Sequence, residues 1–114
     1  MSECLFCKII KGEIPATKIF EDEKVIGFKD LKPQAKIHHL FIHKEHTKNL
    51  NDLIATDPSQ ASEILSAISR YADQEKLVEP GYRVVTNIGP HAGQTVFHTH
   101  FHLLAGEGLG HFGS

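Results

Sequence analysis

The chain has 114 residues, of which 40% are hydrophobic and 23% are charged, and its formal net charge is −2. This composition predicts a single folded domain over residues 1–114 and excludes a disordered polyelectrolyte, while the small net charge argues against general binding to nucleic acid or to an anionic membrane. No apolar run is long enough to span a bilayer and no secretory signal precedes the domain, so we expect a cytoplasmic protein.

The first half of the sequence predicts a short helix followed by three strands. Leu5–Lys11 is expected to form one or two helical turns. Thr17–Glu21 and Lys24–Lys29 read as two strands that an acidic turn joins into a hairpin. Ile37–His43 follows as a third strand, and its continuous apolar centre is typical of a strand covered on both faces.

The second half predicts one long helix and two further strands. Apolar residues recur at three- and four-residue steps over Pro58–Leu77, with Asp57 as the expected N-cap and Gln60 as the partner in a capping box. Strands at Tyr82–Ile88 and Val96–Leu104 flank a glycine-containing loop. We therefore expect an α+β fold in which a five-stranded antiparallel meander packs with one long helix and a short N-terminal helix.

The last predicted strand carries three histidines at alternate positions. Because side chains alternate along a strand, His98, His100 and His102 should share one face with Val96, about 6.7 Å apart along the strand. The other face should be mostly apolar and pack under the helix; its members are Phe97, Thr99, Phe101 and Leu103. Two charged imidazoles at that separation would repel by ~2.5 kcal/mol, so the cluster should be largely neutral at pH 7. A neutral imidazole is a usable nucleophile, which favours phosphorus chemistry. The alternatives are a metal-binding face, including a catalytic metal site, or a solvated strand.

Several segments then point to a known family. The segment 98–104, HTHFHLL, resembles the signature of histidine triad proteins, in which three histidines alternate with apolar residues. Further segments resemble the nucleotide-binding branch of that family: Phe6–Ile10, Glu13–Pro15, Phe28–Asp30, Pro33–Ala35 and Gly93–Val96. The resemblance implies a homodimer whose sheet continues across both subunits. It also implies hydrolysis of purine nucleoside 5′-phosphoramidates, typically adenosine-linked, without a catalytic cofactor.

The resemblance assigns a role to each histidine of the site. His100 would attack the α-phosphorus and form a nucleotidyl-histidine intermediate, and His102 would hold a non-bridging phosphate oxygen. His38 would support the nucleophile from the neighbouring strand, and the main chain of His98 would help to orient it.

The resemblance also implies a nucleotide-binding set. Asp30 would accept hydrogen bonds from the ribose hydroxyls, and apolar residues would surround the base: Leu5, Phe6, Ile9, Ile14, Phe28 and Leu31. The expected contacts near the phosphate and leaving group are Asn87, Gly93, Gln94, Thr95 and Val96. The apolar members can equally be ordinary core.

Cys4 and Cys7 form a single C-x2-C pair, which alone fits a redox pair, a metal site or free buried thiols. His46 and His98 would complete a tetrahedral site with two sulfur and two nitrogen ligands, and bacterial members of the family that look like this carry structural zinc. For the function, a dinucleoside polyphosphate hydrolase of the same superfamily and a non-catalytic nucleotide-binding partner protein are the alternatives.

Overall fold

The computed structural model describes residues 4–111. In chain order the elements are α1 (Leu5–Ile10), β1 (Lys18–Glu21), β2 (Val25–Lys29), β3 (Ile37–His43), α2 (Leu50–Thr56), α3 (Ser59–Gln74), β4 (Arg83–Val85) and β5 (His100–Ala105). One 3-10 turn, Pro90–Ala92, lies between β4 and β5. The predicted short N-terminal helix, the hairpin and the third strand are confirmed within one or two residues.

The five strands form one antiparallel sheet in the order β1-β2-β3-β5-β4. The predicted α+β class and five-stranded antiparallel sheet are therefore confirmed. The order departs from a simple meander at one point, because β5 returns between β3 and β4. As a result the histidine-bearing strand lies inside the sheet, paired on both sides, while three-residue β4 forms an edge.

Each face of the sheet carries its own apolar core. Phe41 of β3 and Phe101 and Leu103 of β5 pack with α2 and α3 on one face. Leu40 and Ile42 of β3 pack with α1 on the other. The apolar centre of β3 is thus covered on both faces, as its sequence predicts.

The helical region differs from the prediction in two ways. Helix α2 lacks a clear periodic pattern, since it buries only Leu53, and it was not predicted. Helix α3 begins later and ends earlier than expected. The Asp57 carboxylate accepts from the Ser59 N–H at 3.0 Å, but Gln60 is buried and makes no capping box. Within residues 4–111 no helix has the length and apolar character needed to cross a membrane.

The end of α3 is a Schellman motif. The Leu77 N–H donates to the Ala72 carbonyl at 2.9 Å and the Lys76 N–H to the Asp73 carbonyl at 3.2 Å. Lys76 adopts a left-handed backbone with φ 58° to make this turn. This turn ends the helix at Gln74, before the predicted end at Leu77.

The two final strands are shorter at their facing ends than the sequence suggests. The pairing of β5 with β3 begins at His100 opposite Ile42, so residues 96–99 precede the strand. Phe97 is consequently 53% exposed and does not pack under the helix, contrary to the prediction from alternation. On β4 the ladder stops at Val85, and the Thr86 hydroxyl donates to the His100 carbonyl at 2.8 Å instead.

Candidate active site

His100 has one ring nitrogen committed and the other available. Its Nδ1 lies 2.7 Å from the main-chain oxygen of His98. A carbonyl oxygen can only accept, so Nδ1 carries the ring proton and Nε2 carries the lone pair. The structure therefore places the first triad residue's main chain where it fixes the tautomer that a nucleophilic imidazole needs.

The peptide group between His98 and Thr99 is itself fixed by a hydrogen bond to Thr47. The Thr99 N–H donates to the Thr47 carbonyl at 2.8 Å, while the carbonyl of the same peptide accepts from His100. The Thr47 and Thr99 hydroxyls are buried and lie 2.7 Å apart. Hydrogen bonds in such a chain polarise one another and strengthen the contact to the imidazole. Sequence reasoning did not find Thr47, because only the fold brings it next to Thr99.

His102 receives its orientation from His38. The Gln34 N–H donates to His38 Nδ1 at 3.0 Å, so His38 carries its proton on Nε2. That nitrogen lies 2.8 Å from His102 Nδ1 and 3.4 Å from an Asp30 carboxylate oxygen. His102 therefore accepts at Nδ1 and carries a donor N–H at Nε2. The sequence reading placed His38 beside the nucleophile; the structure places it against His102 instead.

Burial keeps these imidazoles neutral. Desolvation lowers the pKa of His102 to about 4, and the neighbouring His100 and His38 rings add to the effect. Desolvation also lowers the pKa of His100, although the bond to His98 and the charge of Asp30 oppose the shift. The prediction of a neutral cluster agrees with these directions, but loss of solvent is the larger cause and mutual repulsion the smaller.

A cavity of about 390 Å³ opens in front of His100 and His102. Most residues expected to bind the nucleotide line it: Leu5, Phe6, Ile9, Ile14, Phe28, Asp30, Leu31, Thr95 and Val96. The Phe6 ring stands edge-on to Phe28 and to His100, with centroid distances of 5.4 and 5.1 Å. The cavity wall that Phe6 and Phe28 form is apolar and aromatic, which suits a nucleobase. Asp30 contributes a carboxylate, which suits hydroxyl groups.

Three expected residues do not line this cavity. Gln94 is buried, and its amide oxygen accepts from the Gly89 N–H while its nitrogen donates to the carbonyls of Lys48 and Val96. It therefore holds loops together rather than facing a ligand. Asn87 and Gly93 lie outside the cavity as well.

The cavity also has lining residues that the sequence reading missed: Pro15, Ala16, Lys29, Lys32 and Leu40. Alternation along β3 could have predicted Leu40, because it places Leu40 on the same face of the sheet as His38.

Cys4, Cys7, His46 and His98 form a compact cluster, and their four ligand atoms lie within 4.8 Å of one another. His98 Nδ1 lies 3.5 and 3.6 Å from the Cys4 and Cys7 sulfurs and 3.1 Å from His46 Nδ1, which is 3.3 Å from the Cys7 sulfur. A tetrahedral zinc with two sulfurs and two nitrogens would give edges of about 3.3–3.8 Å. The Nε2 of His98 donates to the His43 carbonyl at 3.0 Å, which leaves the Nδ1 lone pair directed at the cluster.

The three triad imidazoles thus face different partners and do not converge on one metal. His98 faces the cysteines, His100 the His98 carbonyl, and His102 faces His38. Asp30, His38 and His102 also lie close together, but the Gln34 N–H occupies the His38 Nδ1 lone pair. The His38 Nε2 therefore holds a proton, and the group forms a hydrogen-bond chain rather than a ligand set.

Known proteins share this fold and sequence. Residues 11–109 match the family profile described as the HIT domain. The chain is 38% identical to the purine nucleoside phosphoramidase of Escherichia coli K12 over 108 residues, covering 95% of this chain and 91% of that protein. It is 44% identical to an uncharacterized HIT-like protein of Synechococcus elongatus over 110 residues, covering 96% of each.

Solved structures give the same assignment. A HIT family hydrolase from Clostridium thermocellum superposes with a TM-score of 0.93 at 43% identity, over 100% of this chain and 99% of that one. A histidine triad protein from Clostridium difficile superposes with a TM-score of 0.94 at 39% identity, over 98% and 97%. The resemblance of the HTHFHLL segment is thereby confirmed, and the chain belongs to the histidine triad (HIT) family.

Proposed function

We propose that the protein hydrolyses purine nucleoside 5′-phosphoramidates, with His100 as the nucleophile. The observation that carries this proposal is the 2.7 Å contact between His100 Nδ1 and the His98 carbonyl, because it leaves an unprotonated Nε2 on the ring that lines the nucleoside-sized cavity. The name of the Escherichia coli relative supports the choice of substrate class.

In the proposed first step a bond forms between His100 Nε2 and the α-phosphorus while the bond from phosphorus to the amine breaks. The His102 Nε2–H donates to a non-bridging phosphate oxygen. Because the rings are neutral, no charged imidazole has to lose its hydration when the substrate binds. In the second step water displaces the imidazole and gives the nucleoside monophosphate. The leaving amine takes a proton from solvent as the P–N bond breaks, and the water that attacks in the second step releases one to solvent, so protons balance over the cycle.

Trapping the intermediate tests the proposal. We expect brief mixing with adenosine 5′-phosphoramidate, followed by a denaturing alkaline quench and peptide mass spectrometry, to show an adenylyl group on His100. His100→Asn should lose the adduct and lower kcat/KM by at least roughly 10³-fold, while His91→Asn, an exposed histidine outside the cavity, serves as the matched control.

Three kinds of result would reject the assignment. One is an adduct on a different residue or equal turnover by His100→Asn. The second is a higher kcat/KM for a diadenosine polyphosphate than for the phosphoramidate, which would assign the protein to the dinucleoside polyphosphate hydrolases. The third is binding of adenosine monophosphate with turnover of neither substrate, which would make the chain a binding protein.

We also propose that Cys4, Cys7, His46 and His98 hold a structural zinc ion. The donor set and its spacing support this, and zinc there would tie α1 to the segment before the nucleophile. Purified protein should contain about one zinc per chain by elemental analysis. His46→Gln should lose the metal and unfold at lower temperature, whereas His91→Gln should do neither; metal-free parent protein of unchanged stability would refute the proposal.

Finally we propose that two copies associate through the edge of β4. Among residues 4–111 no further strand pairs with this edge, and Val84 on it is 38% exposed. Light scattering should report a dimer for the parent chain and a monomer for Val84→Lys. Ile54→Lys, a similar change at an exposed position on α2, should remain dimeric. A monomeric parent chain would refute this proposal.

A further inference from the structure

A second cleft, of about 570 Å³, opens beside the nucleoside cavity. Its lining residues are Cys4, Leu5, His46, Lys48, Thr95, Val96 and Phe97. Leu5, Thr95 and Val96 line both openings. One ligand can therefore extend from the nucleoside cavity into the cleft past this shared wall.

The cleft has an apolar surface that the fold leaves uncovered. Phe97 is 53% exposed and Leu5 is 44% exposed, although both are large apolar side chains next to a concave surface. Such exposure in a cleft is typical of a binding site rather than of ordinary surface, and the volume lies within the roughly 300–1,000 Å³ of small-molecule sites. An apolar group is the ligand that this surface favours.

Lys48 gives the cleft one cationic side chain, carried by a backbone that is held in place. Its main-chain N–H donates to an Asp52 carboxylate oxygen at 2.8 Å, and its main-chain carbonyl accepts from the Gln94 amide at 2.8 Å. Gln94 also donates to the Val96 carbonyl at 3.2 Å, so the two walls of the cleft are held to each other. Within residues 4–111 none of the ion pairs uses the Lys48 ammonium group. It remains available to a negatively charged ligand.

We propose that this cleft binds the leaving amine, and that it selects amines carrying both a large apolar group and a carboxylate, as in an aromatic amino acid joined to the nucleotide through its amino nitrogen. This inference rests on the proposed phosphoramidate hydrolysis. Because Thr95 lines both openings, we place the amine nitrogen beside it when the phosphorus is in front of His100. Its apolar side chain packs on Leu5 and Phe97, and its carboxylate pairs with Lys48.

Three substrates separate the contributions: adenosine phosphoramidates of phenylalanine, of phenylalanine amide and of glycine. Release of adenosine monophosphate, followed by chromatography, gives kcat/KM for each. The parent protein should prefer phenylalanine to its amide by about fivefold, the value of a partly exposed ion pair near 1 kcal/mol. Lys48→Met should cleave the two at equal kcat/KM, and Lys48→Glu should prefer the amide.

The apolar contact is tested by the preference for phenylalanine over glycine. This preference should fall about tenfold in Phe97→Ala, because about 60 Å² of apolar contact is lost. Lys11→Met, at an exposed lysine that lines neither opening, is the matched control and should keep every ratio of the parent.

The outcomes distinguish the two proposals. One outcome is that all three compounds are cleaved with the same ratio of kcat/KM for acid and amide in the parent and in Lys48→Met. In that case the cleft does not bind the carboxylate through Lys48, and this inference is overturned while the proposed hydrolase activity stands. If none of the three releases adenosine monophosphate, the proposed function fails and the inference fails with it.

Discussion

The buried hydroxyls of Thr47 and Thr99, which lie behind His100, should be strongly coupled in their effect on stability. Thr47 and Thr99 are each 2% exposed, and their Oγ1 atoms lie 2.7 Å apart. Thr99→Val keeps the shape of the side chain but leaves the Thr47 hydroxyl without that partner. An unsatisfied buried hydroxyl costs about 1–3 kcal/mol, so we expect the free energy of unfolding to fall by about 2 kcal/mol. Thr47→Val should cost less, because the Thr99 hydroxyl keeps its hydrogen bond to the Thr47 carbonyl at 3.3 Å.

The double variant should cost much less than the sum of the two single changes. Replacing both partners by apolar groups of the same shape removes the unpaired group altogether. We therefore expect Thr47→Val/Thr99→Val to be about 1–2 kcal/mol more stable than additivity predicts. Urea titrations of all four proteins at one protein concentration and one metal content measure this coupling. Thr17→Val, at an exposed threonine, should change the unfolding free energy by less than about 0.5 kcal/mol.

Additive effects of the two single changes would refute the reasoning. A coupling energy within about 0.3 kcal/mol of zero means that the two hydroxyls are not paired in solution. In that case the link from Thr47 through the His98 peptide to His100 would rest on the bonds that the Thr99 N–H and hydroxyl donate to the Thr47 carbonyl.

Three further changes test other parts of the structure. Lys76→Gly should raise the free energy of unfolding by about 1 kcal/mol, because glycine adopts a φ of 58° without the cost of a side chain; a lower urea midpoint would contradict the Schellman assignment. Gly27→Ala should lower it by about 1–3 kcal/mol, since the new Cβ would lie 2.9 Å from the Phe41 ring, and an unchanged melting temperature would show that the ring moves freely. Acid should destabilise the protein between about pH 6.5 and pH 4, because the unfolded state protonates His102 over that window and the folded state, with its pKa lowered to about 4, does not. His102→Gln should therefore flatten the plot of unfolding free energy against pH, and an unaltered slope would exclude this origin.

Local pattern was sufficient to predict much of the fold. The apolar centre of β3 and the periodicity of α3 each report on a few neighbouring residues, so both could be predicted without knowing the fold. The position of β5 between β3 and β4 could not, since strand order depends on contacts far apart in the chain. The error over Phe97 has the same origin: alternation describes a paired strand, and the pairing begins only at His100.

The candidate site, like the fold, could be predicted from the sequence only in part. The triad histidines could be predicted because their motif is one short segment, and most of the cavity residues because further short segments resemble the same family. The partner of His102 could not be predicted, because His38 lies on β3 and the register between β3 and β5 is set only in the folded sheet. The structural use of Gln94 and the exposure of Lys48 in a second cleft likewise depend on loops that meet only in the folded chain.

Helix α1 belongs to two sites at once. Phe6 and Ile9 line the cavity in front of His100, while Cys4 and Cys7, at its start and on its first turn, belong to the sulfur and nitrogen cluster. A reagent that modifies either thiol and shifts this helix would therefore alter the cavity wall while leaving every imidazole chemically intact. The cluster and the cavity are joined by the six residues of this helix.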